Sequence, residues 1–126
     1  MRELLVIGCG GFLGAIARYS LTGWVHRWAG AGFPWGTLAV NVVGCLAIGG
    51  LMALVESRAA LSPAVRLFVG IGLLGSLTTF STFGYETLEL VRRSELGLAL
   101  ANAGGNLLLG LGAVLVGRLL VVWVTG

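Results

Sequence analysis

The chain has 126 residues, 57% hydrophobic and 10% charged, with 22 glycines and a mean hydropathy of +0.99, far more apolar than a soluble domain. Its net charge is +3 and all eight basic residues are arginine, scattered at segment edges without forming a stripe, which excludes a nucleic-acid binder. What remains is a small all-α membrane protein, expected to form a single transmembrane domain over residues 1–126.

Four spans are expected, at about 4–25, 37–55, 64–90 and 96–124, each long enough for a hydrocarbon core of about 30 Å. In the first, Leu4 to Ala17 could pass for a signal peptide with Ala15-Ile16-Ala17 as its cleavage site. Glu3 offsets Arg2, however, and three further spans make that reading unnecessary. Gly10 and Gly14 have the small-xxx-small spacing of close helix contacts. A dinucleotide fingerprint fails at Leu13, where its third glycine would stand. Arg18, near the far end of this span, either snorkels to the headgroups or builds an electropositive vestibule. Trp24, Trp28, Trp35 and Trp123 read as interfacial anchors, as does His26, and Pro34 and Pro63 stand just before the second and third spans.

Asn41 is the one strongly polar side chain of the second span. An amide facing lipid would lose four potential hydrogen bonds, so it must face inward, either as interhelical glue or as a donor in a pore. The third span carries the run Gly75-Ser76-Leu77-Thr78-Thr79-Phe80-Ser81-Thr82-Phe83-Gly84. Its hydroxyls cover the whole helix circumference, so bonding back to the preceding turn cannot hide them all from lipid. Gly75 and Gly84 are places where the helix can loosen, and broken backbone at membrane depth is tolerated where it lines a cavity or binds an ion. The fourth span repeats the polar theme with Asn102 and Asn106, followed by Gly110 on the same face. Together these groups could form one narrow polar track. Cys9 and Cys45 lie in apolar segments and behave as small hydrophobes.

Four spans put both termini on one side with Arg2, Arg58, Arg66 and Arg118, against Arg18, Arg27, Arg92 and Arg93 on the other. Four against four is no bias. A chain without charge preference can insert both ways and pair as an antiparallel homodimer about an axis in the membrane plane.

The chain has no Asp or Lys, and its five glutamates sit near segment ends or in loops. A proton-coupled exporter of the small multidrug-resistance type, also built from four short helices, generally needs a carboxylate within the membrane. An intramembrane hydrolase using Ser76 or Ser81 would need a base, and none is in reach. What is left are neutral donors together with Phe80 and Phe83, whose ring edges attract anions and whose faces attract cations. These residues suit a small dehydrated solute in a tight pore, of either sign.

Three stretches, Gly11-Phe12-Leu13-Gly14-Ala15-Ile16-Ala17-Arg18-Tyr19, Gly36-Thr37-Leu38-Ala39-Val40-Asn41-Val42-Val43-Gly44, and Gly72 to Phe83 with its Thr-Thr-Phe-Ser-Thr-Phe string, resemble the Fluc/CrcB fluoride channel family in order and spacing. The resemblance implies passive fluoride export across the cell (inner) membrane by a dual-topology homodimer with a break in the third helix. It implies a pore of Asn41, Phe80, Ser81, Thr82 and Phe83, with Asn106 at the end of the track, and a vestibule with Arg18 and Glu86. A structural sodium ion on main-chain carbonyls would fall to Gly75 and Thr78. Gly110 departs from the pattern, since some relatives carry a serine late in the fourth helix.

Overall fold

The computed structural model describes residues 1–57 and 61–125. Arg58, counted above with the termini, lies outside them. The described residues are helical almost throughout: α1 (Arg2–Ala29), α2 (Trp35–Glu56), α3 (Pro63–Arg66), π-helical turns over Leu67–Leu74, α4 (Gly75–Leu77), α5 (Phe80–Arg92) and α6 (Leu96–Thr125). Four stretches, with Pro63–Arg92 taken as one, are long and apolar enough to cross a membrane. Their outward faces are Leu, Val, Ile and Phe, as a lipid-facing surface requires.

The helix ends follow from local chemistry. Pro63 opens α3 with Ser62 as its cap, its hydroxyl accepting from Val65 N at 3.3 Å. The first helix outlasts its expected end at Val25, because Trp24 and Trp28 one turn apart pack at 6.4 Å between ring centroids. It stops at Gly30, whose φ of 78° suits glycine and whose N–H bonds His26 O at 3.1 Å. Thr78 and Thr79, between α4 and α5, are extended, with φ/ψ of −81°/157° and −151°/116°.

Glycine sets the helix spacing. In α1 the buried residues are Gly10 and Gly14, and a methyl group on either would strike a backbone carbonyl of the third span, Phe68 O or Leu73 O. On the other side α2 and α6 form the most extensive pair. A methyl on Gly49 would strike Val114 O, and one on Gly117 would strike Leu46 O. With lipid as apolar as the helices, such backbone-to-backbone packing is what holds them together. A small core of Val40, Leu51, Leu74 and Leu77 joins α2 to the third span.

Candidate functional site

The extended pair is where the polar groups converge. Thr79 N–H, which in an unbroken helix would bond the Gly75 carbonyl, instead donates to Asn41 Oδ1 at 2.8 Å, and Asn41 Nδ2 returns a bond to Thr79 O at 3.2 Å. One side-chain amide of α2 thus closes a ring with the loosened main chain of the third span. Thr79 Oγ1 caps α5 by accepting from Thr82 N at 3.2 Å, and donates to Thr82 Oγ1 at 3.0 Å. Ser81 Oγ lies 3.3 Å from Thr79 Oγ1. Thr78 turns back to Leu74 O at 3.0 Å, and its methyl occupies the place where a side chain on Gly44 would go.

From Asn41 a line of amides runs into α6. Asn41 Nδ2 donates to Asn106 Oδ1 at 2.8 Å, and Asn106 Nδ2 donates to both the main-chain and side-chain oxygens of Asn102 at 3.0 Å. Asn102 Nδ2 donates to Thr87 Oγ1 at 2.8 Å, and that hydroxyl donates to Phe83 O at 2.7 Å. The orientation of every amide is fixed by the two ends, since a carbonyl such as Phe83 O can only accept and an amide such as Thr79 N–H can only donate. Both hydrogens of Asn41 Nδ2 are therefore committed within the protein.

Two cavities flank this network. The first, a groove of about 730 Å³, is lined by Asn41, Gly75, Thr78, Phe80, Phe83 and Asn106, among others. Its lining has no Asp, Glu, Lys, Arg or His among the described residues. The Phe80 and Phe83 rings stand 5.5 Å apart at 54°, with Phe80 83% exposed at the groove's open side. The second, about 740 Å³, gathers Arg18, Thr82 and Glu86 with Thr37, His26 and Arg27. Thr79 lines both and is their common wall. Arg18 is turned inward, with Nη1 3.4 Å from Thr78 O. Glu86 accepts from Thr37 Oγ1 at 2.9 Å through Oε1, while Oε2 is buried without a partner among the described residues.

The sequence-predicted residues thus fall into two groups, Asn41, Phe80, Phe83, Asn106, Gly75 and Thr78 at the groove and Arg18, Thr82 and Glu86 at the second cavity. Ser81 lines neither and stays beside Thr79. Gly110 is buried against α2, where an added methyl would lie 3.4 Å from Cys45 Sγ. Sequence reasoning passed over Thr37 and Thr87, and placed Thr79 and Asn102 in the polar track without giving either a role of its own. The available signal was four-residue spacing: Thr37 precedes Asn41 by one turn and Thr87 follows Phe83 by one turn.

Comparison with known proteins agrees with the resemblance read from the motifs. The family described as CrcB-like protein, Camphor Resistance (CrcB), matches residues 5–118. A protein of Acidobacterium capsulatum named fluoride-specific ion channel FluC is 43% identical over 115 residues, covering 91% of this chain and 92% of its own. Proteins of the same name from Thermus thermophilus and Geotalea uraniireducens are 47% identical over 111 residues and 48% identical over 102. They cover 88% and 81% of this chain and 87% and 82% of their own.

Proposed function

The chain belongs to the CrcB family, and from that premise we propose that it is a fluoride-selective channel through which the anion leaves the cell down its electrochemical gradient. The observation that carries the reading is the groove: uncharged amides, hydroxyls and two phenylalanine rings gathered between membrane-spanning helices, with no Asp, Glu, Lys, Arg or His among the described residues that line it. Such groups can replace part of a small anion's hydration shell without binding it irreversibly. The chain is not an enzyme, and an exporter of the small multidrug-resistance type is not favoured, since the only acid in α1 is Glu3 in its first turn.

The working unit in this reading is an antiparallel homodimer. The amides and hydroxyls that line the open groove make a poor lipid-facing surface, and a second, inverted copy laid over it would turn the groove into a closed pore. Phe80 and Phe83 then present ring edges to the anion. Thr82 supplies a hydroxyl whose hydrogen is not taken by Thr79, with Ser81 beside it. Arg18 supplies positive charge at the vestibule, which draws anions toward the wall formed by Thr79. Glu86, held by Thr37, marks the same mouth.

The main-chain carbonyls fit a structural sodium ion. The bond from Thr79 N–H to Asn41 releases Gly75 O from its helical partner, and Thr78 O receives only the long contact from Arg18. Neutral carbonyl oxygens of this kind are hard ligands. Gly75 and Thr78 would hold the ion, which would supply fixed positive charge at the break.

Purified protein in liposomes should release trapped fluoride while retaining chloride, with neither ATP nor a proton gradient. Retention of fluoride would remove this reading.

A further inference from the structure

An anion that takes a hydrogen from Asn41 must first displace whatever holds it now. One of the two hydrogens belongs to the ring with Thr79 that closes the break, so taking it would undo the local fold. The other goes to Asn106 Oδ1 at 2.8 Å, at the groove wall. Asn106 cannot offer the anion its own amide in exchange, because both hydrogens of its Nδ2 are bonded to Asn102. Nor can Asn102 turn to release them: it is fully buried, and its Nδ2 is held by a Thr87 hydroxyl whose single hydrogen is spent on Phe83 O. The line of amides therefore presents Asn106 to Asn41 as an acceptor and in no other orientation.

We propose that Asn106 Oδ1 is a stand-in for the transported anion, taking the Asn41 amide hydrogen whenever no anion is beside it, with Asn102 and Thr87 as the residues that position it. The proposal rests on the fluoride-channel reading and adds a role that anion contact alone would not give. A bare N–H in a site away from water is costly, so an empty pore without a substitute acceptor would hold the first anion tightly. With Asn106 in place the anion exchanges one acceptor for another, and the same exchange in reverse helps it leave. A pore needs both, because binding must be favourable enough for entry and weak enough for exit.

Asn106→Leu removes the acceptor at nearly constant size. Fluoride efflux from liposomes, measured against fluoride concentration, should half-saturate at a concentration about tenfold lower than in the parent protein, equivalent to about 1.4 kcal/mol of tighter binding, and its maximal rate should fall. A half-saturating concentration that is unchanged or raised overturns the proposal, the latter because it would make Asn106 a direct ligand. Silence of the parent protein toward fluoride would instead defeat the channel reading, and the two failures are read from different samples. Should the variant not assemble, side-chain amide NMR of the parent protein decides. Added fluoride should shift the Asn41 amide protons and leave those of Asn102 in place, and an unmoved Asn41 signal is equally fatal.

Discussion

Thr79→Val separates the hydroxyl of the central residue from its shape. Valine matches threonine in volume and branching, and the extended backbone at position 79, φ −151° and ψ 116°, is one that β-branched residues favour, so the main chain has no reason to move. Lost are the cap on Thr82 N, the bond to Thr82 Oγ1 and the longer contact with Ser81 Oγ, of which the first two dominate. A cap contributes about 1 kcal/mol, and a side-chain hydrogen bond between membrane segments about 0.6 kcal/mol. The sum is about 1.6 kcal/mol, about fifteenfold in an unfolding equilibrium. Reversible unfolding in mixed detergent, followed by helical circular dichroism, should show that loss for Thr79→Val and recover most of it for Thr79→Ser, which keeps the hydroxyl. Equal stability of the valine variant and the parent would mean that α5 does not depend on this cap, and that Asn41 alone holds the extended pair.

Phe80→Ile and Phe83→Ile should each lower fluoride flux in liposomes while size-exclusion profiles stay unchanged, because isoleucine keeps apolar bulk but has no electropositive ring edge. Unaltered throughput in both would show that the rings only pack. Asn41→Asp should impair flux and destabilise the fold together, since a carboxylate can still accept from Thr79 N but repels Thr79 O and Asn106 Oδ1, and it adds negative charge to the anion's path. Normal flux would restrict Asn41 to holding the helices. Gly14→Ala places a methyl against Leu73 O, a main-chain atom that cannot rotate aside, and should cost on the order of 1–3 kcal/mol in the same unfolding assay. Gly23→Ala, with open space around it, is the control and should change little.

How much of this was legible in the sequence depends on whether the physics was local. Four spans and their approximate ends were readable because hydropathy and proline placement act over a few residues, and the structure moves those ends by only a few positions. The run from Gly75 to Gly84 was conspicuous because too many hydroxyls stood in one apolar segment. The pairing of α2 with α6 through Gly49 and Gly117, and of α1 with the third span through Gly10 and Gly14, was only half visible. Small-residue spacing marks a close contact without naming the partner. Arg18 likewise had two roles open, and only the position of Thr78 O turns it inward.

The donor inventory shows the same divide more sharply, and bears on how any polar pore should be read. Counting residue types credits Asn41 with two free hydrogens and Asn106 with two more. The fold spends all four inside the protein, while the Thr82 hydroxyl, which accepts from Thr79, has no acceptor for its own hydrogen among the described residues. In the proposed pore the anion therefore meets a network already satisfied, in which each contact is an exchange. In that reading selectivity depends on how the anion compares with the acceptor it displaces, and so on Asn106, on the helix that follows the motif that first marked the site.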